Sequence, residues 1–77
     1  MKEVLILGPG CPKCERLHAN VQEAVRELAL ACEVRKVTAV ADIMKYGVMI
    51  TPALVVDGQV KAVGKVPSTA DLRELLQ

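Results

Sequence analysis

The strongest constraint in this sequence sits near its start. Residues 4–7, Val-Leu-Ile-Leu, form an unbroken apolar run that Gly8-Pro9-Gly10 cuts off at once. A run this short without alternation reads as a strand over Lys2 to Leu7 that is buried on both faces, as in a sheet covered by helices on two sides. The same run is far too short for a membrane span or a signal-peptide core. A soluble, cytoplasmic chain without a membrane partner is therefore expected.

Immediately after the glycines comes Cys11-Pro12-Lys13-Cys14, and after it the spacing changes to that of a helix. Over residues 12–30, Leu17, Val21, Ala24, Val25 and Leu28 recur on one face, with Glu15, Arg16, Gln22, Glu23, Arg26 and Glu27 opposite. Pro12 suits the first helical turn, where its missing N–H costs nothing.

Cys32 to Val37 interleaves Val34 and Val37 with Glu33, Arg35 and Lys36, the pattern of a half-exposed edge strand. Thr38 is expected to cap a two-turn helix over residues 39–46 that offers Val40, Ile43 and Met44 for burial and ends at Gly47. Residues 53–56 and 60–63 flank Asp57-Gly58, which predicts a tight hairpin. Ser68, with Asp71 three residues on, caps a last helix whose buried stripe is Leu72, Leu75 and Leu76. The expected order is β-α-β-α-β-β-α: an α/β fold with a four-stranded mixed sheet, formed by one domain spanning residues 1–77.

Composition narrows the function. With no Trp or Phe and a single Tyr, the core must be aliphatic and no base-stacking platform exists. Ten basic residues against nine acidic ones, scattered along the chain, give no phosphate-neutralising surface, so nucleic acid is not an expected partner. Three cysteines do not make the even-numbered framework of a secreted disulfide scaffold, and a Cys11–Cys14 bridge closes too short a loop to contribute much stability.

The chemistry therefore falls on the C-x-x-C pair. Cys11 precedes the first helical turn, where unpaired N–H groups and the positive end of the helix dipole favour a thiolate, and Lys13 adds to that effect. A free thiol titrates near about 8.5, and such a placement lowers this to about 3.5–7.5. Cys14 lies one turn on, along the buried stripe of Leu17 and Val21, and is expected to be the less exposed thiol. Exposure assigns the roles: Cys11 attacks a substrate disulfide, and Cys14 resolves the mixed disulfide. Thr51-Pro52 precedes the hairpin; Pro52 is expected to be cis, with the Thr51 backbone opposite the C-x-x-C loop and open to an extended substrate segment.

Cys11-Pro12-Lys13-Cys14 after a first strand, followed by Met44-Lys45-Tyr46-Gly47-Val48-Met49-Ile50-Thr51-Pro52-Ala53-Leu54-Val55-Val56-Asp57-Gly58, resembles the small thioredoxin/glutaredoxin-like redox-active disulfide proteins of bacteria and archaea. The likeness covers essentially the whole chain. It implies a thioredoxin fold, a Cys11 nucleophile, a Cys14 resolving thiol and a cis-proline loop at Thr51-Pro52, and Gly64 matches a glycine of that pattern. Ile50, Thr51, Pro52 and Gly64 are the substrate-binding residues so implied.

The cofactor expected is the redox-active Cys11–Cys14 disulfide alone, with no metal. The partners expected are a disulfide-containing protein and a thioredoxin-reductase-like electron donor, and the chain is expected to act as a monomer. The sequence departs from thioredoxin proper in having Gly10 where that family has Trp, Pro12-Lys13 where it has Gly-Pro, and no acid within residues 4–7. Residues 63–67, Val-Gly-Lys-Val-Pro, lack a glutathione signature.

Two other functions compete. Two thiolates also suit Cu(I) or half of a zinc site, as in a soft-metal carrier, although such carriers place a hairpin directly after the first helix. A non-catalytic binding module is the second. His18 reads as a solvated helix residue, Cys32 as a small buried hydrophobe, and Met44 and Met49 as core or rim packing.

Overall fold

A computed structural model describes residues 2–29 and 31–77. Its elements run β1 (Lys2–Leu7), α1 (Pro12–Leu28), β2 (Cys32–Val37), α2 (Val40–Met44), β3 (Ala53–Val56), β4 (Gln59–Val63) and α3 (Thr69–Leu76). This is the order expected from the sequence. The strands form one sheet in the order β2-β1-β3-β4. β1 runs parallel to β2 and antiparallel to β3, and β3 pairs antiparallel with β4.

The apolar runs occupy the middle of this sheet, and β-pleating divides them between two cores. Val4 and Ile6 of β1, with Leu54 and Val56 of β3, face Leu17, Val21 and Ala24 of α1 and Leu72 and Leu76 of α3. Leu5 and Leu7, with Ala53 and Val55, face Ile43 of α2 and Val48. Both central strands are thus buried on two sides, whereas β2 and β4 are edges carrying exposed charged or polar residues.

The turns follow their local chemistry. Asp57 and Gly58 both adopt positive φ, 49° and 82°, so Val56 pairs directly with Gln59 across a two-residue turn. Asp57 also fastens this turn to β1, since its N–H donates to the Glu3 carbonyl and its Oδ1 accepts from the Glu3 N–H, both at 2.8 Å. Ser68 Oγ accepts from the Asp71 N–H at 3.2 Å and caps α3.

Three expectations need correction. The first helix ends at Leu28, with Ala29 in the left-handed conformation at φ 52°; the expected final residue, Leu30, lies outside the described residues. α2 spans five residues rather than eight, and Thr38 does not cap it. Ala39 occupies the cap position, and its carbonyl takes the first-turn N–H groups of Asp42 and Ile43 at 3.1 and 3.0 Å. Beyond it, the N–H groups of Lys45, Tyr46 and Gly47 bond three residues back, tightening the chain out of the α-helix before Gly47 turns it at φ 75°. So short a helix buries one stripe residue, Ile43; Val40 and Met44 are each 62% exposed and Met49 is 93% exposed, so none of the three is core.

Leu17 is fully buried between the sheet and α3. Leu17→Ala is expected to lower the unfolding free energy by about 2–5 kcal/mol, read as a shift of the urea midpoint at unchanged slope.

Candidate active site

β1 ends where its neighbour can still hold it: the Gly8 N–H donates to the Val37 carbonyl of β2 at 2.9 Å. Pro9 and Gly10 then reverse the chain, Gly10 at a φ of 93° that an L side chain rarely adopts. Cys11 follows in extended conformation (φ −69°, ψ 163°) and is the N-cap of α1, with Pro12 at the first helical position. Its Sγ fills the place that a serine oxygen would take, accepting the Cys14 N–H at 3.3 Å. The Cys11 carbonyl accepts the Glu15 N–H at 3.0 Å.

The two thiols therefore differ in environment although they are one turn apart. Both are free thiols; Cys11 is partly exposed, while Cys14 is 4% exposed on the buried stripe of α1. The hydrogen bond from the Cys14 side chain, and then the Cys14 N–H, hold the Cys11 thiol below its ordinary range, outweighing a small burial penalty. Burial pushes the Cys14 thiol up, and its hydrogen bond to Cys11 pushes in the same direction. Lys13 acts on Cys11 through its backbone N–H. No charged or polar side chain is buried among the described residues, so Cys14 has no acid packed behind it.

The second wall is the loop before β3. The Thr51–Pro52 peptide is cis and Pro52 is buried. The Pro52 carbonyl accepts the Gly64 N–H at 2.7 Å, which joins the loop to the end of β4. Gly64 has a φ of 69°, and a Cβ there would come within 3.0 Å of Ile50 Cγ2. Ile50, Thr51, Pro52 and Gly64 are thereby held together. Thr51 and Cys14 both close on Gly8: a Cβ built on Gly8 would lie 2.2 Å from Cys14 Sγ and 3.8 Å from Thr51 Cβ. The cis-proline loop and the dithiol therefore share one end of the sheet.

Beside them opens an apolar cleft of about 270 Å³, lined by Pro9, Val40, Ile43, Met44, Val48, Met49 and Thr51. Sequence reasoning placed Val40, Met44 and Met49 in packing roles and so missed this surface. The available signal was the shortness of the segment between Thr38 and Gly47, too small to bury three large side chains on one stripe.

The remaining candidates lie elsewhere. Cys32 is partly buried against the α1/α3 core and pairs in register with Lys2, at the opposite end of the parallel pair from Gly8 and so about 17–20 Å from it. His18 is partly buried on α1. No group of three or more His, Cys, Asp or Glu side chains is arranged to hold a metal among the described residues, and none of their helices is long and apolar enough to cross a membrane. A second helix and a cis-proline loop separate α1 from the hairpin, unlike the order expected of a soft-metal carrier.

Replacing Gly64 with alanine tests how the loop is held. The positive φ costs an L-residue about 1–2 kcal/mol, and the added methyl crowds Ile50. The expected outcome is a urea midpoint lowered by a matching amount.

The comparisons agree with this geometry. A family model described as a thioredoxin domain matches residues 2–77. A thioredoxin of Methanothermobacter thermautotrophicus is 36% identical over 76 residues, covering 99% of this chain and 99% of its own. A thioredoxin of Methanocaldococcus jannaschii is 39% identical over 77 residues, covering 100% of this chain and 88% of its own. A second thioredoxin of that organism is 31% identical over 67 residues, 83% of this chain and 79% of its own. Matched along essentially its whole length, the chain belongs to the thioredoxin domain family of thiol–disulfide oxidoreductases.

Proposed function

We propose that this chain reduces disulfides of protein substrates with Cys11 as nucleophile and Cys14 as resolving thiol, cycling between dithiol and Cys11–Cys14 disulfide with no further cofactor. The observation that carries this reading is the asymmetry of the pair: a partly exposed sulfur capping α1, with its neighbour buried one turn behind it.

The cycle follows from that asymmetry. Cys11 thiolate attacks one sulfur of the substrate disulfide, forming the Cys11–substrate bond as the substrate S–S bond breaks; the departing thiolate takes up a proton. Cys14 then loses its proton, either to that departing thiolate or to water, and attacks Cys11 Sγ. The second substrate thiolate leaves and is protonated in turn. Two electrons and two protons pass to the substrate, and the protein holds a disulfide. With no buried carboxylate among the described residues to take the Cys14 proton, the second step is the one that burial retards.

The other site residues take supporting roles. Pro12 pre-sets the first helical φ, and Lys13, whose side chain is exposed, supports the Cys11 thiolate through its backbone N–H. Thr51 offers its backbone to an extended substrate segment, with Ile50 and Gly64 beside it. The apolar cleft supports a substrate that presents an apolar side chain next to its disulfide. A thioredoxin-reductase-like donor returns the two electrons, and the chain works as a single-domain monomer in the cytoplasm.

The test couples NADPH oxidation through a thioredoxin reductase to a protein disulfide. Wild type is expected to turn over, while Cys11→Ser and Cys14→Ser both fall to the uncatalysed rate. Only Cys14→Ser should accumulate a mixed disulfide with substrate, visible by mass under non-reducing conditions. Turnover surviving in Cys11→Ser would overturn the reading. Cu(I) titration of the reduced protein separates the carrier alternative, since tight binding with no disulfide exchange would favour it.

A further inference from the structure

We propose that Gly8 is a positioning residue for the resolving thiol: the absence of a side chain at the end of β1 leaves Cys14 Sγ the slot from which it reaches Cys11. The proposal rests on Cys14 being the resolving thiol and adds what holds it in place.

Gly8 is not needed for its backbone freedom. Gly10, Gly47, Gly58 and Gly64 have positive φ, whereas Gly8 does not, so an L-residue could adopt its conformation. What excludes a side chain is space. The three atoms nearest a Gly8 Cβ are Cys14 Sγ at 2.2 Å, Cys14 Cβ at 3.1 Å and Thr51 Cβ at 3.8 Å. Ordinary contact lies at about 3.5–4.0 Å, so Thr51 tolerates the methyl and the reacting sulfur does not.

The backbone on either side cannot easily give way. The Gly8 N–H is bonded to Val37, and α1 is pinned to the sheet by Leu17 and Val21, both fully buried. The sulfur must therefore leave its place. A disulfide requires its sulfurs about 2.05 Å apart and its Cβ atoms about 3.5–4.5 Å apart. Moving Cys14 Sγ by an ångström or more thus disrupts the second exchange step, in which Cys14 attacks Cys11 Sγ and expels the substrate thiolate. Cys11 keeps the backbone N–H donors of the N-cap and loses only the Cys14 thiol as a donor, so its first step changes through its ionisation and not through its geometry.

Gly8→Ala is the direct test. At a pH where Cys11 is fully ionised in both proteins, its reaction with iodoacetamide is expected to stay within about twofold of wild type, while the mixed disulfide with a disulfide-bearing peptide resolves about 10- to 100-fold more slowly. An unchanged rate of resolution, or a loss shared equally by both steps, would overturn the proposal. Should Gly8→Ala fold poorly, urea unfolding of wild type, Gly8→Ala, Cys14→Ala and the double variant decides the matter. Gly8→Ala is expected to destabilise the Cys14 protein much more than the Cys14→Ala protein, because the clashing sulfur is absent from the latter. Equal destabilisation in both backgrounds would refute the contact. Failure of Cys14→Ser to trap an adduct would instead remove the resolving role itself, and this proposal with it.

Discussion

β1 is buried on both faces, and everything else in the molecule is arranged around that fact. Val4 and Ile6 require α1 and α3 on one side; Leu5 and Leu7 require α2 and Val48 on the other. With no large aromatic core residue, the 77-residue chain depends on interdigitated Val, Leu and Ile. The strand also stops where chemistry begins. Its last ladder bond, from Gly8 to Val37, lies three residues before Cys11, so the rigid centre of the sheet ends directly beneath the dithiol.

That placement makes the two thiols unlike each other. The N-terminus of α1 has donors to satisfy, and Cys11 Sγ accepts one of them, which favours the charged form of that sulfur. Cys14 is carried by the same helix onto its buried stripe, where loss of solvent favours the neutral form. One helix start thus makes one thiol easier to ionise and its neighbour harder, without help from any buried charge among the described residues. The cis-proline loop, held to β4 through Gly64, closes the same end of the sheet and brings Thr51 to within contact range of the Gly8 position.

Much of this was legible in the sequence because it rests on local rules. The Gly8-Pro9-Gly10 break, helical spacing after Pro12 and the Asp57-Gly58 turn each have a short-range cause, and each element appears where its pattern put it. What escaped was set by tertiary contacts or by competition between neighbours. Thr38 looked like a cap, but the cap falls one residue later, on Ala39, and the helix begins at Val40. Met44 looked like a packing residue, because hydrophobicity alone does not say that α2 is too short to bury it, and so did Met49, which lies exposed in the loop beyond that helix. Gly8 looked like part of a turn; that a sulfur six residues further on occupies its side-chain space is visible only in three dimensions.

One sulfur is reachable and ionises more readily than an ordinary thiol, while its neighbour is buried and ionises less readily. Alkylation of the reduced protein across pH, with each cysteine followed separately by peptide mass spectrometry, measures this most directly. Cys11 is expected to label with a midpoint below the value of about 8.5 for a free thiol, and Cys14 to label slowly and only at higher pH. Labelling of Cys14 first, or of both together at the pH of an ordinary thiol, would contradict it.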